Sequence, residues 1–152
     1  ITSGTDKDTL SNIERLKFND KHLALDLDDH AGQTVKLLGL LLGKDQATNK
    51  AYVGAGLKLL DDGMTYEQLM QTALEVVLGD NVSSLSVVEM IWGNLIGSPT
   101  PTDNISQYSA LIDNGTYTSA QLAMIAADHS LNTISIDLVG LAQTGVEYIV
   151  YS

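Results

Sequence analysis

One helical pattern occurs twice in this chain, and both copies stop their helices with glycine. In the first copy a helix ends at Leu60-Asp61-Asp62-Gly63 and the next begins at Thr65. In the second copy Ile112-Asp113-Asn114-Gly115 and Thr118 stand at the corresponding places, so the period is about 52–54 residues. Glycine ends helices and threonine begins them for local reasons of backbone geometry and hydrogen bonding. Neither copy can bury its apolar face alone, so we expect the two to pack together.

The apolar spacing after residue 30 predicts about six or seven helices. The two predicted copies are residues 31–80 and 85–130. Within the second copy the fourth helix ends at Gly97-Ser98-Pro99-Thr100-Pro101, where both prolines forbid its continuation. The tail 146–151 is too short and apolar to assign. The expected helices cover about 31–43, 47–60, 65–79, 83–96, 102–113, 118–129 and 132–145.

The first 29 residues have a different pattern. Leu23, Leu25 and Leu27 alternate with other residues at a period of two, which is typical of a half-buried strand, and Asn19-Asp20-Lys21 suits the turn before it. We therefore expect a mainly α protein: a duplicated helical unit preceded by a short N-terminal β segment. The predicted division is a β segment at 1–29 and a helical domain at 30–152.

The balance of charges limits the partners of the chain. Eight Lys+Arg against nineteen Asp+Glu give a net charge of −11, which argues against nucleic acid and anionic membrane surfaces. The acidity has two interpretations: solubility, or divalent cations bound at clustered carboxylates. No apolar stretch reaches the ~20 residues of a membrane-spanning helix, so we expect no membrane insertion. With no cysteine, the chain has no disulfide or thiolate metal site.

The N-terminal part resembles a known kind of secreted protein. The stretch from Gly4-Thr5-Asp6 to Arg15-Leu16-Lys17-Phe18 resembles the segment that closes RTX-type calcium-binding β-rolls, and Ala24-Leu25-Asp26-Leu27-Asp28 followed by Ala31-Gly32-Gln33 resembles its continuation. The helical remainder resembles a bacterial domain of unknown function that follows such rolls at the C-terminal end of large proteins exported by type I secretion. That domain is related at the level of fold to phycobilisome linker domains.

This resemblance implies a part of a longer protein, secreted or held at the cell surface, in a calcium-rich environment and without catalytic activity. Its partners would be the β-roll of the parent protein and a polysaccharide or protein at the cell surface. Calcium prefers six to eight hard oxygen ligands, and the candidate carboxylates in the roll-closing stretch are Asp6, Asp8 and Glu14. The glycine-rich nonapeptides of the roll itself are absent from the chain.

Other candidate sites leave alternatives open. The run that starts at Asp26 resembles an EF-hand loop, but its twelfth position is Leu37 in place of a bidentate glutamate. Trp92 suits either the core of a helix or a surface anchor, with the core favoured, and Tyr52, Tyr66, Tyr108 and Tyr117 offer surfaces for binding. The alternative function is a carbohydrate-active or hydrolytic enzyme that uses Asp61 and Asp113 as paired carboxylates across the two copies.

Overall fold

The chain changes from strand to helix at residue 30, as the change of apolar period predicts. The computed structural model describes residues 2–3, 6–7, 14–97 and 102–151. Within these residues the protein is mainly helical with a small β segment, so the predicted fold class is confirmed. The strands are β1 (Thr2–Ser3), β2 (Asp6–Lys7), β3 (Arg15–Lys17), β4 (His22–Ala24) and β5 (Val146–Tyr148). The helices are α1 (His30–Leu42), α2 (Lys50–Asp61), α3 (Tyr66–Leu78), α4 (Ser84–Leu95), α5 (Thr102–Asp113), α6 (Ser119–Asp128), α7 (Ser130–Ser135) and α8 (Leu138–Thr144).

The C-terminal tail completes the sheet that the N-terminal segment begins. β3, β4 and β5 form an antiparallel sheet in that order, with Leu23 of β4 paired to Leu16 on one side and to Glu147 on the other. The turn between β3 and β4 is the predicted one, closed by a 2.8 Å hydrogen bond from the Phe18 N–H to the Lys21 carbonyl. β5 is an element that the local pattern left unassigned, because its partner lies at the opposite end of the sequence.

Helix α1 is the centre of the helical body. It contacts α2, α3, α4, α6 and α7, and its side chains are buried around most of its circumference, including Val35 and Leu40 with no exposed surface. A helix that is apolar on all sides is stable in water only when other elements surround it. The terminal carbonyls of α1 are also bonded, since the Asn94 side chain of α4 donates to the Leu40 oxygen at 2.7 Å.

Two pairs of helix ends have matching geometry at the positions that the repeat predicts. Thr65 and Thr118 each accept a hydrogen bond from the backbone three residues on, and each backbone N–H is bonded in return by a glutamine, Gln68 and Gln121. The stops before them, Gly63 and Gly115, have φ angles of 109° and 79°, which disfavour any residue with a side chain. The division into two copies itself stays a prediction.

The last predicted helix is wrong, because the chain breaks it at Ile136-Asp137 to form α7 and α8. Ile136 packs so closely against α1 that a Cβ added to Gly39 would lie 2.3 Å from it. Asp137 turns the chain with a left-handed backbone (φ 54°), and its side chain accepts the Gly140 N–H at 3.2 Å to start α8. The described residues thus contain eight helices instead of six or seven.

The start of the second helix is also corrected. The prediction begins it at Ala47, whereas α2 begins at Lys50 after a single 3-10 turn at Lys44–Gln46. The physical reason is Asn49, whose side chain accepts the N–H groups of Ala51 and Tyr52 and so fixes the helix start. No helix in the described ranges combines the length and the apolar character that crossing a bilayer requires.

Helix α2 also holds the C-terminal strand. The Ile149 N–H donates to the Lys50 carbonyl at 3.0 Å, and the Lys50 ammonium forms an ion pair with Glu147. This hydrogen-bonded ion pair lowers the pKa of Glu147, with a smaller contribution from Lys21. The backbone of Ile149 approaches α2 at Gly54, where a Cβ would lie 1.9 Å from the Ile149 oxygen.

We expect Gly54→Ala to separate the C-terminal segment from α2 and to lower the free energy of unfolding by about 1–3 kcal/mol, because the new methyl meets backbone that cannot move aside cheaply. The control is Gly93→Ala in α4, where an added Cβ meets nothing within 4 Å. That change should raise the free energy of unfolding by about 0.5–1 kcal/mol through helix propensity alone. Urea denaturation measures both, and equal effects of the two changes would contradict the close approach.

Candidate functional site

The predicted calcium ligands lie at the edge of the described part of the chain. Asp8 is outside the described residues, and for Asp6 only the strand backbone of β2 is described. Glu14 is exposed, and its carbonyl oxygen accepts the Leu25 N–H at 2.8 Å, which places it beside the start of the β3–β4 hairpin. Calcium binding by these three residues stays a prediction.

A cluster of charged residues joins the sheet to the helices. Arg15 of β3 donates to the buried Asp26 carboxylate and, at 3.1 and 3.3 Å, to both oxygens of Asp61 at the end of α2. The ring of His30 lies 2.7 Å from the same Asp61 carboxylate. Burial opposes the charge on Arg15, but the hydrogen bond and charge of Asp26 outweigh it, so the pKa of the guanidinium is raised. The cluster therefore joins one guanidinium to two carboxylates, with Asp26 as its buried member.

Asp26 is also the hydrogen-bonding group that starts α1. Its carboxylate accepts the Ala31 N–H at 3.1 Å, and its own carbonyl accepts the N–H groups of Asp29 and Gly32. The residue at the ordinary capping position, Asp29, makes no side-chain hydrogen bond to the helix. The aspartate-rich stretch that resembles an EF-hand loop thus uses its first carboxylate to bind Arg15 and a helix N-terminus.

We expect Asp26→Ala to lower the free energy of unfolding by about 3–5 kcal/mol, because it removes the buried partner of a partly buried guanidinium and the hydrogen bond at the start of α1. Asp28→Ala is the matched control, since Asp28 is exposed two residues away. That change should alter stability by less than about 0.5 kcal/mol. Chemical denaturation followed by circular dichroism measures both, and a loss below about 1 kcal/mol for Asp26→Ala would refute the role of the cluster.

Two apolar grooves open on the helical body. The first groove lies between α1, α2 and α3, has a volume of about 280 Å³ and includes Leu42, Tyr52 and Val76. The second groove lies between α4, α5 and α6, has a volume of about 230 Å³ and includes Trp92 and Tyr108. Large apolar side chains at both grooves face solvent, and Val76 is 81% exposed. Exposed apolar surface gathered into a concave site is typical of a binding surface.

The two grooves use corresponding positions of the predicted copies. The positions follow one face of each helix, at the spacing of three and four residues that aligns side chains along a helix. An offset of 54 residues relates Thr34, Leu37, Leu38, Leu41 and Leu42 of α1 to Val88, Ile91, Trp92, Leu95 and Ile96 of α4, and all of them line a groove. An offset of 53 relates Leu69, Thr72, Ala73 and Val76 of the first groove to Leu122, Ile125, Ala126 and His129 of the second.

Trp92 combines the two roles that the sequence left open. It packs against the small core cluster of Val88, Ile105 and Leu122, and it also forms part of the wall of the second groove. Its ring lies 6.0 Å from that of Tyr108 at an interplanar angle of 41°. Among the four tyrosines named from the sequence, Tyr52 and Tyr108 line the grooves, whereas Tyr66 and Tyr117 pack against core clusters.

The paired carboxylates of the enzymatic alternative have separate partners. Asp61 is bonded to Arg15 and His30, while Asp113 accepts a 2.5 Å hydrogen bond from the Ser84 hydroxyl at the start of α4. Neither carboxylate lines either apolar groove. The sequence reasoning did not identify Arg15 or the groove positions, although the shared spacing of apolar residues in the two copies was a signal for the grooves.

The buried hydroxyl of Tyr66 allows a test of core packing that does not involve the two grooves. Its hydroxyl is buried and has no hydrogen-bond partner among the described residues. Burial raises the pKa of Tyr66, with a further contribution from the negative charge of Asp128. An ordinary tyrosine ionises near pH ~10, so the unfolded chain releases this proton at a lower pH than the folded protein. This difference in the pKa of Tyr66 therefore leaves the free energy of unfolding at its full value below pH ~10. The free energy of unfolding falls as the pH rises above ~10.

We expect Tyr66→Phe to leave the protein as stable or more stable at pH 8, because it removes a buried hydroxyl that lacks a partner. At alkaline pH the variant should lose less stability than the original chain. The control is Tyr52→Phe, since Tyr52 is exposed. Urea midpoints at pH 8 and pH ~10.5 measure the difference, and an identical alkaline loss in all three proteins would contradict the burial of Tyr66.

Comparison with known proteins adds no assignment: neither a family model, nor a curated protein, nor a solved structure matches the chain.

Proposed function

We propose that this chain is a non-catalytic C-terminal module of a larger secreted or cell-surface bacterial protein. In this role it closes a calcium-binding β-roll and carries a helical body that contacts a polysaccharide or protein at the cell surface. The proposal combines the resemblance of residues 4–33 to a roll-closing segment with the way the structure attaches that segment to the helices.

The observation that carries the proposal is the asymmetry of the three-stranded sheet. β5 forms one edge and is held by α2 through the hydrogen bond from Ile149 to Lys50. β3 forms the other edge, and within the described residues no strand pairs with its outer side. An open strand edge has unpaired N–H and C=O groups and can accept further strands. An upstream β-roll can therefore continue from this edge, while the opposite edge strand lies against α2.

A roll attached here would be joined firmly to the helical body. Arg15 of β3 contacts Asp26 and Asp61, so the edge strand is fixed to the N-terminus of α1 and the C-terminus of α2. Repeat proteins need such a terminal cap, because the last repeat otherwise exposes its core and its strand edges to water. The two apolar grooves then provide surface for a partner on the helical side.

The test is a fusion of several consensus nonapeptides, Gly-Gly-x-Gly-x-Asp with a large apolar residue, directly before Ile1 of the full chain. The calcium concentration at which the repeats gain β circular dichroism is measured with and without the module. We expect the module to lower this midpoint at least about threefold, because a cap stabilises the last repeat. A flexible Gly-Ser linker before Ile1 is the matched control and should abolish most of the gain.

Equal calcium midpoints for the repeats alone, the direct fusion and the linker fusion would refute the capping role. The predicted ligands are examined in the same direct fusion. Combined Asp6→Asn, Asp8→Asn and Glu14→Gln changes should raise the calcium midpoint, while Asp20→Asn in the β3–β4 turn should leave it unchanged. A midpoint that does not respond to the triple change would exclude these residues as ligands and leave the capping role standing.

A further inference from the structure

All lysine and arginine residues of the chain lie in its first 58 positions. Lys58 is the last of the eight Lys and Arg residues, and residues 59–152 contain eleven Asp and Glu. The first 58 positions contain the other eight acidic residues, so the net charge of −11 belongs entirely to residues 59–152. A surface with charge of one sign attracts partners of the opposite sign and repels those of its own.

The second groove lies wholly within this acidic part of the chain, since its lining residues run from Val88 to Leu131. At its rim, Ile96 and Ile125 are each 52% exposed, and Tyr108 is 38% exposed. Its volume of about 230 Å³ is below the ~300–1,000 Å³ of typical small-molecule sites. A cavity of this size suits one or two large apolar side chains of a protein partner, with the rim contacting their neighbours.

The first groove is a natural comparison inside the same molecule. It has a similar volume and corresponding positions, but α1 and α2 carry Lys36, Lys50 and Lys58. All three of these lysines form ion pairs with acidic residues: Lys36 with Asp128 of α6, Lys50 with Glu147 and Lys58 with Asp62. The helices of the first groove carry lysines among their acidic residues, whereas α4, α5 and α6 of the second groove carry acidic residues and no Lys or Arg.

We propose that the second groove is the docking site for a basic, amphipathic helix of another protein, with a large apolar side chain in the cavity and Lys or Arg over the acidic surface. An apolar face at helical spacing is the form in which a partner helix fills a groove between helices. The charge disfavours a second copy of this chain, because each copy would bring the same acidic surface. This partner class deepens the interaction role proposed above and rests on it.

The fluorescence emission of Trp92 can report peptide binding, because Trp92 is the one tryptophan of the chain and lines the second groove. The probe is a Leu/Lys peptide of about 18 residues with no aromatic residue and its leucines on one helical face. We expect saturable change of the Trp92 emission when the peptide is titrated into the full chain. A peptide with glutamate in place of lysine should bind at least about tenfold more weakly, and raising the salt concentration should weaken the lysine peptide.

The matched variants are Ile96→Ser in the second groove and Leu42→Ser at the corresponding position of the first. Both side chains are exposed, at 52% and 38%, so both variants should keep the original melting temperature. Ile96→Ser should weaken peptide binding about tenfold, because it removes a large apolar contact of the second groove, while Leu42→Ser should leave it within about twofold. Ile125→Ser provides a second variant of the second groove with the same expected loss.

Three outcomes would overturn the proposal. The first is equal binding of the glutamate and lysine peptides, which would make the groove a site for apolar chains of any charge. The second is an equal loss for Leu42→Ser and Ile96→Ser, which would remove the role of charge in choosing the groove. The third is concentration-dependent dimerisation that Ile96→Ser abolishes, which would assign the groove to a second copy. None of these outcomes bears on the fusion experiment, whose failure would in turn leave peptide binding unaffected.

Discussion

The buried carboxylate of Asp26 is the interaction on which the arrangement of sheet and helices depends. It binds Arg15 of β3 and the Ala31 N–H in the first turn of α1 at the same time, and Arg15 extends the contact to Asp61 at the end of α2. A buried charge is tolerated only where hydrogen bonds and an opposite charge satisfy it. The position of the hairpin relative to α1 and α2 is therefore set by electrostatics as well as by apolar packing.

Helix α1 connects the Asp26 cluster to the remaining helices. Its N-terminus is bonded by Asp26, its terminal carbonyls by Asn94 of α4, and the Lys36 carbonyl by Asn132 of α7 at 3.0 Å. With its polar ends satisfied, the helix can bury most of its side chains among five neighbours. Apolar side chains nevertheless remain at the surface, because the seam of α1 with α2 and α3 stays open as the first groove and the seam of α4 with α5 and α6 as the second.

Local features of the fold were predictable from the sequence, and distant ones were not. Thr65, Thr118, Gly63 and Gly115 act on backbone within a few residues, so their spacing alone located helix ends. The strand β5 and the break after α7 depend instead on β4 and on Gly39 of α1, which lie far away in the sequence. The spacing of the apolar residues that line the two grooves was visible in the sequence. Whether these residues are covered or exposed is decided by tertiary packing. The partners of Arg15 are likewise distant in sequence.

The pairing of β4 with β5 has a consequence for how the molecule forms. It joins residues near the two ends of the sequence, so the largest loop in the chain must close before these hydrogen bonds can exist. Helices stopped by their own glycines need no such closure and assemble from neighbouring segments. The sheet is therefore expected to complete late in folding. A nascent chain thus gains its helical body first, and the sheet receives its third strand only once residues 146–148 are free to join.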